Sequence, residues 1–399
     1  MFLSRYFGKR IFEQKIFVKI TAALFLFAFG AAVFIFLKQK SLAPVEYSSS
    51  SSVIGVSVSK NLPQKPLHIP TPKPVKGIYM TSWVAGTKDW RQKLVKLIEE
   101  TELNSVVIDV KDYSGRIAFE VSDARLKEIG AAEKRIPDVR EFIDLLHSKN
   151  IYAIARISVF QDAYLAKKRP DWAVLKKNGQ IWRDYKGVAW LSPASEEVWD
   201  YTIKVAKEAE AAGFDELNFD YIRYPSDGDM KNIVLPFAGG ANNKAESIKF
   251  FFAYLSEHLA DLGIPLSADL FGFVTTHTDD LNIGQILENA IPYFDYISPM
   301  VYPSHYPKGY NNYSNPAAHP YEIIYFAMAS SSQRMLAAGS TPSKLRPWLQ
   351  DFDLGAAYTA EMIREEKQAV YDAGLDSWLI WDPTNKYTTG ALDAAPERE

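Results

Sequence analysis

The chain is predicted to be an α/β protein, a single (β/α)8 TIM-type barrel preceded by an N-terminal transmembrane helix and a linker. Three observations carry that expectation. From Lys76 onward, strand-like and helix-like patterns alternate without a break. Eight strand candidates occur, with one helix between each successive pair, over roughly 310 residues, a usual span for one such barrel. Polar residues also gather at the carboxyl ends of those strands, where α/β folds place their chemistry. A doubly wound open sheet would alternate in the same way. The count favours the barrel, and no repeat of the length that builds solenoids is present.

The strand candidates are Gly77–Trp83, Ser105–Val110, Tyr152–Val159, Glu216–Tyr221, Pro265–Phe273, Tyr296–Tyr302, Leu345–Gln350 and Ser377–Trp381. Between them, helical periodicity runs over Arg91–Leu103, Pro137–Lys149, Glu196–Ala212, Asn243–Leu262, Ile283–Ile291, Tyr321–Ala338 and Thr359–Ala373. Several of these helices end at a glycine (Gly213, Gly263, Gly339, Gly374), which can adopt the left-handed conformation that closes a helix. Two loops are long. Asp112–Ile136 includes Gly115–Glu120, which reads as a short inserted strand. Phe160–Pro193 is rich in aromatics, with Trp172, Trp182, Tyr185 and Trp190, and reads as a substrate wall.

Ahead of the barrel, Ile20–Leu37 is an 18-residue run without a charge. At 1.5 Å per residue it spans about 27 Å, close to the hydrocarbon thickness of a bilayer. Arg5, Lys9, Arg10, Lys15 and Lys19 precede it, which keeps the N-terminus cytoplasmic and puts the rest of the chain outside. A cleaved signal peptide is the competing reading. The run is long for one and is followed by Lys38 and Lys40, so an uncleaved anchor is expected. A serine run at 48–52 and five prolines between 63 and 74 make residues 38–75 a linker. The expected division is then 1–19 cytoplasmic, 20–37 anchor, 38–75 linker, 76–390 barrel and 391–399 polar tail.

Composition excludes several function classes. There is no cysteine, so disulfide scaffolds, thiolate nucleophiles and Cys-ligated metals are out. Residues 1–40 hold seven Lys or Arg and one Glu; against an overall −3, the rest of the chain carries −9. An acidic body argues against nucleic acid as partner. The six histidines are scattered, and no His-Glu-x-x-His, Walker loop or Gly-x-Ser-x-Gly elbow occurs. No cofactor is expected.

The stretch Asp215–Pro225 is central. Leu217, Phe219 and Tyr221 share one face of a strand, while Asn218 and Asp220 share the other. Acid on the inner face of a buried strand is costly unless that face opens on a site. Other strand ends add Asp109, Arg156, Asp269, Tyr302, Gln350 with Asp351, and Trp381 with Asp382; Arg223 follows Asp220 closely. Facing carboxylates can bind a hard cation, can act as general acid with nucleophile or base, or can pair with Arg156 and Arg223.

The segment Gly213–Pro225, together with Ser267–Gly272, Tyr296–Pro303 and Trp378–Asp382, resembles a bacterial family of glycoside hydrolase domains long filed under unknown function. The likeness covers about residues 75–390. It implies a TIM-type barrel and a retaining glycosidase acting on poly- or oligosaccharide. The fourth strand also resembles that of α-amylase-like barrels, where Gly-Phe-Asp-x-x-x-x-Asp ends in the nucleophile, which makes Asp220 the nucleophile here. Chitinases look similar too, but the position of their essential acid is Ile222 in this chain. Asp269 is then the first choice of proton donor, followed by Asp351 and Asp382. A retaining pair should stand about 5–5.5 Å apart. Asp109 and Gln350 would hold hydroxyls, Tyr302 would stack on or hydrogen-bond the sugar, Arg156 and Arg223 would keep the nucleophile ionised, and Trp381 would line the site. Two alternatives stay open: a catalytically inactive glycan-binding barrel, and a cation-dependent hydrolase or lyase.

Overall fold

A computed structural model describes residues 66–396. Eight parallel strands close into a barrel, as expected: β1 Lys76–Met80, β2 Ser105–Lys111, β3 Tyr152–Ser158, β4 Glu216–Asp220, β5 Leu266–Phe271, β6 Tyr296–Met300, β7 Trp348–Gln350 and β8 Trp378–Trp381. They lie in sequence order round the ring, with β8 closing on β1 through Gly77–Leu379. Ser-Val-Val-Ile-Asp-Val-Lys in β2 and Tyr-Ala-Ile-Ala-Arg-Ile-Ser in β3 are buried throughout, as strands covered on both faces must be.

The covering helices are α1 Lys88–Glu100, α2 Val139–Ser148, α3 Glu196–Ala212, α4 Lys244–Leu259, α5 Leu287–Ala290, α6 Pro320–Ala337 and α7 Ala360–Asp372. The Ser195 hydroxyl accepts the Val198 N–H at the start of α3, and Gly213 ends it at φ 106°. Two hydrophobic cores result. One fills the space between strands and helices, and the smaller one fills the barrel itself with Tyr79, Val107, Tyr152, Ile154, Tyr302, Trp348 and Leu379.

Some elements differ from expectation, each for a local reason. β4 stops at Asp220 because Tyr221 takes φ 54°, which turns the chain out of the ladder. β7 is shorter than Leu345–Gln350 because Pro347 has no N–H to give the ladder; Leu345 keeps only a single bridge, to Ile297. α5 loses its first turn where Gly284 sits at φ 86° and the side chain of Gln285 accepts the Phe271 N–H and donates to the Ile222 carbonyl. Gly115–Glu120 forms only isolated bridges at Ile117.

The run Ile20–Leu37 lies outside the described residues, as does most of the linker; among the described residues no helix is long and apolar enough to cross a membrane. The end of the expected linker, residues 66–75, packs under the barrel. Ile69 N–H donates to Asp215 Oδ1 (2.9 Å), the Thr71 hydroxyl meets Tyr152 OH (3.0 Å), and Val75 is buried. The start of the expected tail is likewise tied down, with Ala395 N–H on the Glu100 carbonyl (3.1 Å).

Candidate active site

At the carboxyl end of the barrel the side chains of β1 to β5 meet on one guanidinium. Arg156 of β3 donates from Nη1 to Asp109 Oδ1 of β2 (2.5 Å) and from Nη2 to Asp220 Oδ2 of β4, and its Nε lies 3.7 Å from Asp269 Oδ2 of β5. All four are buried. Period-2 alternation and parallel register set this geometry. Asp109 stands beside Arg156 across β2 and β3, and Asp220 is two residues beyond Asn218, Arg156's own neighbour in β4.

Each acid is held differently. Asp109 Oδ2 also accepts a hydrogen bond from the Tyr79 hydroxyl. Asp220 Oδ1 accepts the N–H of Tyr221 (2.5 Å), so both of its oxygens carry donors. Asp269 Oδ1 accepts from Asn218 Nδ2 (2.9 Å) and from the Trp348 indole (2.8 Å), while Oδ2 has only the distant Arg156 Nε.

One cation among three carboxylates leaves the cluster short of positive charge, and the protonation equilibria follow. Burial, reinforced by the nearby charge of Asp220, pushes Asp269 up to about 7. Burial also raises Asp109, against the pull of Arg156. For Arg156 burial works the other way, but Asp220 and Asp109 outweigh it and hold the guanidinium well above its ordinary range. Among the described residues no group of three His, Cys, Asp or Glu is arranged to hold a metal ion. Between these three acids the central position belongs to Arg156.

Aromatic rings wall the cluster. Trp381 of β8 stacks on Tyr79 (3.8 Å between centroids, 15°), Arg156 lies 4.9 Å over the Trp381 ring, and Trp348 meets Trp381 edge-on. Tyr302, just past β6, is pushed well above the usual phenol range by burial and then by Asp269 and Asp220. Arg223 stands nearby at the rim, half-buried against Trp190 and Tyr221.

Asp109, Arg156, Asp220, Asp269, Tyr302 and Trp381 are therefore brought together or line the same space. Gln350, Asp351 and Asp382 are engaged elsewhere. Gln350 Oε1 accepts the backbone N–H and hydroxyl of Ser304 (3.2 and 2.8 Å), and its amide donates to the Phe352 carbonyl (2.9 Å). Asp351 holds the N–H and hydroxyl of Thr388, both at 2.7 Å, and burial raises it to about 6. Asp382 accepts the N–H and hydroxyl of Thr384 in a local turn. All three brace loops.

The long loop after β3 also differs from the expected wall. Trp172, Trp182 and Trp190 are buried, Trp182 donating to the Asp229 carbonyl (3.1 Å), and only Tyr185 projects, at 82% exposure.

Tyr79, Asn218 and Trp348 were not expected as site residues. Asn218 shares a face with Asp220 and could have been found by parity. Tyr79 lies on a strand with no acid, and the polar pair beside Trp348 drew attention away from it.

The fold has many relatives among solved structures. The glycoside hydrolase domain of PgaB (BpsB) from Bordetella bronchiseptica superposes with a TM-score of 0.58 at 13% identity, over 78% of this chain and 94% of that one. Alpha-L-fucosidase isoenzyme 2 from Paenibacillus thiaminolyticus gives 0.55 at 13% identity, over 80% of this chain and 47% of that one, so the chain spans about half of that enzyme. A hypothetical protein from Ruminiclostridium thermocellum is 36% identical over 52% of this chain and 98% of its own, with a TM-score of 0.45. No curated protein matches the chain. A family model described as "Putative glycosyl hydrolase domain" matches residues 77–387. That match takes in all eight strands but for Lys76, and every member of the Arg156 cluster, and the chain belongs to this glycosyl hydrolase family.

Proposed function

We propose that the chain is a membrane-anchored, extracytoplasmic glycoside hydrolase that cleaves polysaccharide with retention of configuration, using Asp220 as nucleophile and Asp269 as general acid. One observation carries this reading: two carboxylates on adjacent strands share the Arg156 guanidinium, Asp220 in a direct ion pair and Asp269 at 3.7 Å and raised to about 7. That division is what an acid and a nucleophile need at neutral pH. Asp220, ion-paired to Arg156, attacks the anomeric carbon. The glycosidic C–O bond breaks as Asp269 gives its proton to the departing oxygen. Asp269, now a carboxylate, takes a proton from the water that releases the sugar from Asp220. Tyr302 and Trp381 border the place where the sugar would sit. The charge-free run Ile20–Leu37, with basic residues ahead of it, supports the anchor and the outward orientation.

A second reading, a catalytically inactive glycan-binding barrel, is favoured by one feature: both oxygens of Asp220 already carry donors. Assaying the full-length chain in mild detergent on α- and β-linked polysaccharides separates the two. Turnover abolished in Asp220→Asn and in Asp269→Asn, with circular dichroism unchanged, supports the hydrolase. Binding without turnover, indifferent to both substitutions, would move the assignment to the binding barrel. The anomer first released, read by proton NMR, tests retention.

A further inference from the structure

We propose that Arg223 is a subsite for a carboxylate on the substrate sugar, so that the glycans this enzyme takes are acidic ones built from uronic acids. This deepens the reading of the barrel mouth as a glycan-cleaving site and rests on it.

The argument begins with the company kept by the other arginines. Among the described residues, eight arginines lie within 4.0 Å of a carboxylate. Four do not. Three of these, Arg125, Arg140 and Arg183, are exposed and need no partner because water solvates them. Arg223 is half-buried, at the rim of the acidic cluster. Asp220, Asp227 and Asp184 act on it only from beyond 4.0 Å, so no carboxylate among the described residues pairs with this partly desolvated cation directly. Burial pulls Arg223 below the usual guanidinium range, which reports the same deficit.

Its geometry suits a planar oxyanion. The guanidinium lies 5.0 Å over the ring of Trp190 and 5.7 Å over that of Tyr221. Nη1 is taken, donating to the Tyr224 carbonyl (3.1 Å) and the Ser226 hydroxyl (3.2 Å). Nε and Nη2 have no acceptor among the described residues. Those two nitrogens form the edge of the guanidinium that grips a carboxylate with two parallel hydrogen bonds.

The loop acids whose charges reach Arg223 form no direct pair with it. Asp184 accepts from Gln161, Trp190 and the N–H groups of Lys186 and Val188, and Asp227 accepts the Tyr185 N–H. Asp220 lies three residues back in the chain, and its charge also reaches Arg223. In this reading a ring substituent of a sugar seated on Asp220 reaches the free edge. A hydroxyl there offers no charge, whereas a carboxylate supplies a direct counter-charge and a matching pair of acceptors.

The test is calorimetric and does not depend on turnover. The full-length chain in mild detergent is titrated with tetrasaccharides of galacturonate, glucuronate and mannuronate, each beside its carboxyl-reduced counterpart, and with a phosphorylated tetrasaccharide. At least one acidic member should bind wild type about tenfold or more tightly than its reduced form, the scale of a charge-assisted hydrogen-bonded pair. Arg223→Gln should erase that preference, and Arg223→Lys should keep part of it, because charge survives and the two-pronged edge does not. Equal affinity for acidic and reduced forms in wild type overturns the proposal, as does a preference that survives Arg223→Gln. Tighter binding of the phosphorylated sugar overturns the carboxylate assignment. Acid-selective binding without hydrolysis would sink the hydrolase reading alone, and hydrolysis of neutral glycans with no acid preference would sink this one alone.

Discussion

The barrel interior holds two buried arginines, one at each end, in opposite electrostatic company. At the bottom, Arg346 pairs with Glu216 one to one, and the same carboxylate takes the Tyr152 hydroxyl (3.1 Å) and the Ser267 hydroxyl (2.6 Å). Charge is balanced there, and residues 66–75 cover that end through Thr71 and Ile69. At the top, Arg156 faces Asp109, Asp220 and Asp269 together. A balanced pair can only hold the frame. Burial, with the excess of acid beside it, raises Asp269, and a carboxyl protonated near neutrality is the equipment for acid catalysis.

The comparison breaks most visibly if the two ends are substituted in parallel. Asp269→Asn should lower kcat by about 10²–10⁴, the range for removing a positioned general acid, and Asp220→Asn by at least as much. Neither should unfold the chain in denaturant titrations. Glu216→Gln should do the reverse. It strands Arg346 without a counter-charge and should cost about 3–5 kcal/mol of stability, while kcat per folded molecule stays at the wild-type value. Rate loss without stability loss in Glu216→Gln would mean the bottom pair takes part in function.

pH sharpens the contrast. With Asp269 raised to about 7, kcat/KM should hold below that pH and fall above it, approaching tenfold per pH unit as the acid loses its proton. Stability has the same sign. The folded state binds this proton more tightly than the unfolded chain does, so the contribution is complete in acid and is lost as pH rises through about 7. Stability should slope downward from pH 5 to about 7 and level off above it, and Asp269→Asn should flatten the slope. A profile unchanged in that variant would assign the titration to another group, such as Asp351. The smallest effect is expected at Gln350→Leu. Losing its bonds to Ser304 and Phe352 should cost about 1–2 kcal/mol in thermal unfolding and leave substrate preference untouched. A change in preference there would return Gln350 to the site.

Much of this was legible in the sequence because it is local. Strand count, the glycine end of α3, and the facing of Asn218 and Asp220 depend on signals within a dozen residues. Asp220 and Asp269 stood out because acid on an otherwise apolar strand has few explanations. Gln350, Asp351 and Asp382 carried the same polar-end signal, yet they serve loops. Period-2 alternation tells which face a side chain takes, but not which neighbour already claims it.

By itself, then, the chain's order of residues determined the eight-stranded alternation, the strand-end acids and the charge-free run at its start. Tertiary structure alone decided that Arg156 would be the hub, that Trp348 would reach Asp269 across 79 positions, and that Glu216 would meet Arg346 across 130. Those partners depend on the register and closure of the ring. They buried three acids around a single cation, and that burial, reinforced by the charge of Asp220, is what raises Asp269.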